Sequence, residues 1–255
     1  MLLRVLGCHG GETPKHRTSS FMVGDSLAID AGAITSSLSL DEQARIRSVL
    51  VSHPHMDHVR DLATLADNRC QQGGSTLEIV GIPETILALR RHFFNDILWP
   101  DFTQIDARGG PTVRYVEVQP NQAAAVDGYE VTPVLVNHTV DTSAFIIRQD
   151  GKSIVYGGDT GPTEDLWTRI NALEDLQALM MEVSFPNDET DLAWASRHLT
   201  PEMLSSELDK LTQTDALPIL LYHIKPTFEA KVLRELAQIP GRNLQILQLE
   251  DEFLL

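Results

Sequence analysis

The run Ser52-His53-Pro54-His55-Met56-Asp57-His58 constrains this chain more than any other stretch, because three imidazoles and a carboxylate crowd into one short segment. With nine histidines in 255 residues, a chance His-x-His-x-Asp-His arises on the order of once in a thousand such sequences, so metal binding outranks a histidine-rich surface loop. Ser48 to Val51 is largely β-branched and apolar and reads as a buried strand. Such a strand delivers His53 and His55 to its end, where alternate side chains share a face. Asp57 and His58 then fall on the turn into a helix expected over Asp61 to Asn68. Two nitrogens point one way and an Asp/His pair another, which suits two metal ions. One zinc would be crowded by four such ligands plus a water. The pattern predicts a metal-dependent hydrolase site.

At 255 residues the chain suits one large α/β domain or two small ones. No Pro/Gly/Ser-rich linker interrupts it, so residues 1–255 read as a single metallo-hydrolase domain. A formal charge of -16, from 36 acidic against 20 basic residues, argues against nucleic acid as a partner, since nucleic-acid binders displace counterions with basic stripes. A small anionic substrate drawn in by metal charge is compatible with it. Cys8 and Cys70 make no disulfide framework, and Cys8 with His9 lacks the spacing of a structural zinc site. Met1 to Gly10 contains no basic region followed by a long apolar stretch, and no window approaches a membrane span. The expectation is a soluble cytoplasmic protein without a membrane partner.

Strands are expected at Leu2–Leu6 and Phe21–Asp30, the latter broken by Gly24-Asp25. Leu40–Arg47 reads as a helix capped by Ser39. Leu77–Ile82 reads as a strand and Pro83–Arg91 as a helix opened by proline. The aromatic stretch from about 92 to 110, with Phe93, Phe94, Trp99, Pro100 and Phe102, reads as an insertion or lid. Strands follow at Val113–Val118, Glu130–Val136, Ala144–Arg148 and, after the Asp150-Gly151 turn, Ser153–Gly157. The last hundred or so residues alternate: helix Glu164–Leu173, strand Ala178–Val183, helix Pro201–Leu211, strand Ile219–Tyr222, helix Phe228–Gln238 and strand Leu244–Leu247. Two packed sheets with helices outside fit this order.

A two-metal centre needs more ligands, and the remaining candidates all sit where a strand runs into a loop. His138 follows Val136, Asp159 follows Tyr156-Gly157-Gly158, and His223 follows Tyr222. In this order the chain resembles the metallo-β-lactamase fold hydrolases along nearly its whole length. The resemblance implies an α/β protein built as a four-layer αββα sandwich. It implies that His53, His55 and His138 hold one metal, that Asp57, His58 and His223 hold the other, and that Asp159 bridges both. Met181-Glu182-Val183-Ser184-Phe185-Pro186, followed by Arg197-His198-Leu199-Thr200-Pro201, resembles the class II cyclic-nucleotide phosphodiesterases, as does Phe94-Asn95-Asp96-Ile97-Leu98-Trp99-Pro100. That family usually carries leucine where Met56 stands, glycine or serine where Asp61 stands, and often glycine where Arg197 stands.

The activity so implied is hydrolysis of 3',5'-cyclic nucleotides such as cAMP or cGMP to 5'-nucleotides by a bridging hydroxide held between two divalent ions. Zinc is the default for an imidazole-rich site, with manganese or iron as alternatives. His198 is the candidate general acid, held by Glu182, and Asp57 orients the attacking water. Phe94, Trp99 and Phe102 either stack on a nucleobase or form a packed lid or homodimer contact. A homodimer is expected. His9, His16 and His92 read as structural or solvated. A tRNA 3'-processing endonuclease and a thioester, lactone or β-lactam hydrolase are the alternative activities on the same fold, followed by a non-catalytic binding module.

Overall fold

Hairpins followed by helical crossovers build the molecule twice over. The computed structural model describes residues 1–107 and 109–255; Arg108, inside the expected 92–110 lid, lies outside the described residues. The first half carries β1 (Leu2–Gly7), β2 (Ser20–Val23), β3 (Leu27–Ile29), β4 (Ser48–Leu50), β5 (Leu77–Gly81), β6 (Asp106–Ala107), β7 (Gly110–Pro111) and β8 (Val113–Glu117). The second carries β9 (Ala124–Val126), β10 (Tyr129–Val136), β11 (Thr142–Gln149), β12 (Lys152–Tyr156), β13 (Leu176–Glu182), β14 (Pro218–Tyr222), β15 (Asn243–Ile246) and β16 (Glu252–Leu254). One sheet runs β16-β1-β2-β3-β4-β5-β8 and the other β15-β14-β13-β12-β11-β10-β9. In both, antiparallel hairpin strands occupy one side, while parallel strands occupy the other, from β3 to β8 and from β12 to β15. Parallel neighbours need crossovers, and helices such as Asp61–Gln72, Pro83–His92, Asp165–Asn171, Pro201–Leu208 and Glu229–Leu236 supply them.

Three apolar layers follow from this arrangement. Phe21, Phe145, Tyr156 and Tyr222 lie in the layer between the sheets. Leu62, Leu65, Ile86 and Leu89 bind helices to the outer face of the first sheet. Trp167, Leu204 and Val232 do the same for the second. The order is therefore helix, sheet, sheet, helix, the expected αββα sandwich. Parallel strands place their carboxyl ends along one edge, and ligand sites of open α/β sheets form there.

The break expected at Gly24-Asp25 divides Phe21–Asp30 into β2 and β3, with Gly24 at φ 62°, a backbone state that favours glycine. Several other elements differ from expectation. Four helices stop early, at Arg45, Asn171, Leu208 and Leu236, while the helix from Asp61 runs on to Gln72. The edge strands β9 and β16 and the helix Thr190–Ser196 were not anticipated. Ser39 caps its helix as expected and also closes a capping box with Glu42. Among the described residues no helix is long and apolar enough to cross a membrane.

The aromatic stretch expected as an insertion or lid packs largely into the outer apolar layer of the first sheet. Helix Pro83–His92 leaves the carboxyl end of β5 and carries the chain about 15 Å toward the opposite edge, at 1.5 Å per residue, where β8 begins. Phe93, Phe94 and Phe102 are 6%, 2% and 4% exposed there, within the outer apolar layer. Phe94 packs in T-shaped contacts with Phe93 and Phe102. The aromatic cluster closes the bottom of the crossover. Trp99 lies across helix Asp61–Gln72 and donates its Nε1–H to the Ala63 carbonyl at 3.1 Å.

Candidate metal centre

All seven expected ligands converge at the carboxyl edge of the two sheets, in the sets His53/His55/His138 and Asp57/His58/Asp159/His223, each with donor atoms within 4.8 Å of one another. In the first set, His53 Nε2 and His55 Nδ1 are 3.0 Å apart, and His138 Nε2 is 3.2 Å from His55 Nδ1. Facing ring nitrogens compete for a single proton per pair, whereas a cation among them satisfies all three. In the second set, Asp57 Oδ2 is 3.4 Å from His223 Nε2 and 3.9 Å from His58 Nε2. Asp159 Oδ2 stands between the sets, 3.1 Å from His223 Nε2, 3.2 Å from His58 Nε2 and 3.9 Å from His53 Nε2.

The outward nitrogens of His53, His58, His138 and His223 are held by oxygen partners, which fixes the orientation of those rings. Asp30 is fully buried and accepts from His58 Nδ1 at 2.7 Å, Tyr156 Oη at 2.7 Å, and Ser52 N and Oγ at 2.8 Å each. His138 Nδ1 donates to the Arg197 carbonyl at 3.1 Å. His223 Nδ1 lies 2.9 Å from Ser184 Oγ. Ser184 Oγ in turn donates to Glu182 Oε2 at 2.8 Å. Beside the ligands, His198 Nδ1 meets Glu182 Oε1 at 2.6 Å, and His198 offers a ring nitrogen within 4.8 Å of donor atoms of His138 and Asp159.

Tight backbone turns bring these groups together. Asp30, Arg197 and His223 have φ of 53°, 54° and 69°, a left-handed state that costs a non-glycine residue on the order of 1 to 3 kcal/mol. The φ of Arg197 explains the glycine usual at its position, since only glycine takes that state freely. A Cβ on Gly32 would stand 2.2 Å from the Asp57 carbonyl oxygen. Asp61, where the family has a small residue, accepts from the Thr35 N–H and hydroxyl at 2.7 and 2.8 Å and ties helix Asp61–Gln72 to the Asp30 loop.

Electrostatics separate the two sets. Burial, reinforced by neighbouring imidazoles, lowers the pKa of His53 and His55, and burial takes His138 down to about 4, so these rings stay neutral with lone pairs available. For His58 burial pulls the same way, but Asp159 and Asp30 outweigh it and raise the value well above the ordinary range. Burial opposes ionisation of Asp57 and Asp159, yet the facing histidines hold both far below the usual carboxylate range. The second set thus demands positive charge. Asp159 Oδ1 is buried with no hydrogen-bond partner among the described residues. An unpaired buried carboxylate oxygen is costly. A divalent cation relieves both conditions, and the nitrogen and oxygen donors fit such an ion.

Comparison with known proteins agrees with this fold. The family model described as "Beta-lactamase superfamily domain" matches residues 29–224. The chain belongs to this superfamily of metallo-hydrolases, whose fold implies divalent metal ions. A Yersinia pestis protein named "Probable 3',5'-cyclic-nucleotide phosphodiesterase" is 30% identical, the match covering 88% of this chain and 78% of that one. The Saccharomyces cerevisiae 3',5'-cyclic-nucleotide phosphodiesterase 1 is 26% identical over 71% of this chain and 57% of its own length. The crystal structure of unliganded yeast PDE1 superposes with a TM-score of 0.82 and 20% identity, covering 98% of both chains.

Sequence reasoning missed Asp30, Ser52, Tyr156 and the role of Ser184. Asp30-Ala31-Gly32 after a strand was the available signal for the first. Tyr156 reaches Asp30 across 126 positions of sequence, a pairing that no local pattern exposes.

Proposed function

We propose that the chain hydrolyses 3',5'-cyclic nucleotides to 5'-nucleotides at a dinuclear centre, with zinc as the first ion to test. The observation that carries this reading is the Glu182–His198 pair, 2.6 Å apart and buried against the ligand cluster. Supporting it are the relatives named for this activity, at 30% and 26% identity. His53, His55 and His138 would hold one ion, Asp57, His58 and His223 the other, with Asp159 between them. Two such ions supply acidification of a water and polarisation of the phosphoryl oxygens.

The chain's own groups supply the rest. Asp57, ionised and with a side chain 30% exposed, faces the opening and accepts a hydrogen bond from the attacking water, which orients it toward phosphorus. Breaking the P–O3' bond releases a ribose oxygen that leaves poorly as an alkoxide. His198 donates the proton to O3', while Glu182 accepts the Nδ1–H and fixes the tautomer. Backbone N–H groups of Thr160 and Leu199 donate to Glu182 at 3.1 and 3.4 Å and keep the carboxylate in place. Acyl transfer on two metals has less need of such an acid, and the charge of -16 disfavours a tRNA substrate.

The test is product analysis with zinc- or manganese-loaded protein and 3',5'-cyclic AMP, with Asp57→Ala and His198→Ala as controls. Formation of 5'-AMP that both substitutions abolish supports the reading. No conversion by protein carrying two metals per chain sinks it and turns the search to linear phosphodiesters, then to thioesters and lactones.

A further inference from the structure

A second concentration of metal-ligating side chains lies outside the centre. His9, His16 and Glu229 offer one donor atom each within 4.8 Å of one another. The rings of His9 and His16 meet edge to face with centroids 4.6 Å apart. His9 Nδ1 lies 3.3 Å from the Arg17 carbonyl oxygen, and His16 Nδ1 lies 2.5 Å from Thr13 Oγ1. The Arg17 carbonyl can only accept, so His9 carries its proton on Nδ1 and leaves its Nε2 lone pair free, the arrangement by which outer partners orient metal-bound histidines. The Thr13 hydroxyl can donate or accept, so it can take the His16 Nδ1–H once an ion replaces the proton that His16 Nε2 shares with Glu229. His16 Nε2 is 3.3 Å from Glu229 Oε2. His9 is 7% exposed, whereas the His16 and Glu229 side chains are 17% and 36% exposed, so one side opens to water.

We propose that His9 Nε2, His16 Nε2 and a Glu229 carboxylate oxygen form a third metal site, for zinc or another divalent ion that favours imidazole, with water in the remaining tetrahedral position. Three nitrogen and oxygen ligands plus water is an established zinc donor set. The ligands come from separate pieces of chain. His9 and His16 lie on the polar loop after β1, and Glu229 opens helix Glu229–Leu236. That loop already touches the centre's backbone: Cys8 O accepts from His223 N at 2.7 Å, and Gly10 N donates to Ile224 O at 3.1 Å. A Cβ on Gly10 would stand 2.4 Å from the His223 carbonyl oxygen. An ion here staples the loop to the helix directly behind His223. Its role is structural, since none of its ligands belongs to the paired sets.

The test compares zinc content after the full chain is loaded with zinc and passed through a desalting column. His16→Ala and Glu229→Gln are each expected to retain one zinc per chain fewer than the unaltered protein and to lose part of the zinc-dependent rise in Tm. Glu229→Gln is nearly isosteric at a partly exposed position, so it carries the test if His16→Ala perturbs the loop, as judged by circular dichroism. Equal zinc content in all three proteins overturns the site. The difference between proteins is the readout. A failure of the dinuclear reading would lower the total in every protein and leave that difference in place.

Discussion

His198 offers the most selective test at the level of single residues, because it contacts the ligand cluster without completing either donor set. His198→Ala is expected to keep its metals and lose about 10²- to 10⁴-fold in kcat, the usual contribution of a positioned acid; loss of metal in step with activity would remove the acid assignment. Burial pulls the His198 pKa down, but Glu182 outweighs it and the net shift is upward. The acid works only when protonated, so activity is present below the folded pKa and falls as pH rises through it. Glu182→Gln removes the negative charge that raises the value. Its high-pH limb in a kcat/KM profile should therefore move to lower pH, and coincident limbs would contradict the pairing. Ser184 links the two functions, since it accepts from His223 and donates to Glu182. Ser184→Ala leaves the His223 Nδ1–H unpaired in a buried site. A drop of about 10- to 100-fold in metal affinity is expected, read by chelator competition.

At the scale of elements, the crossover from β5 to β8 decides what the aromatic segment does. Because Phe94 is 2% exposed among Phe93, Phe102 and Leu89, Phe94→Ala should cost about 3 to 5 kcal/mol of stability in denaturant unfolding and leave KM for substrate unchanged. A raised KM without loss of stability would return the segment to the substrate. This element shows where sequence reading runs out. The ligands were legible because each follows an apolar strand, a local signal at His53, His138, Asp159 and His223. Phe94 and Trp99 gave only composition, and aromatics suit a core as well as a binding face. The edge strand β16 was invisible for a related reason. Leu2 to Arg4 pair with Glu252 to Leu254, and that partnership depends on the opposite end of the chain. Asp30 combined both difficulties, being a strand-end carboxylate whose donors lie on β12, the His53 loop and helix Met56–Val59.

The whole molecule is joined at the centre. The His53–His58 segment extends from the first sheet, while His138, Asp159 and His223 extend from the second. Ions held between them would cross-link two layers that otherwise meet through apolar packing and a few bonds such as Ser143 N to Ser52 O at 3.0 Å. The same place concentrates Asp30, Asp57 and Asp159 in a chain of net charge -16, so without cations His58, whose pKa Asp159 and Asp30 raise, offsets only part of the carboxylate charge there. An ion that binds only the native state adds RT ln(1 + [L]/Kd), about 2.7 kcal/mol per site when free ion is a hundredfold above Kd. Two sites then contribute about 5 kcal/mol. At about 2 to 4 °C per kcal/mol for a protein of this size, a strong chelator should lower Tm by on the order of 10 to 20 °C. Asp57→Ala, weakened at one site, should start lower and respond less, because less binding energy remains to be withdrawn. Restoring zinc should recover the transition of the unaltered protein. A Tm indifferent to chelation, in protein that analysis showed to hold two metals beforehand, would mean that the ions bind folded and unfolded chain alike, and the cross-link between the sheets would have to be abandoned.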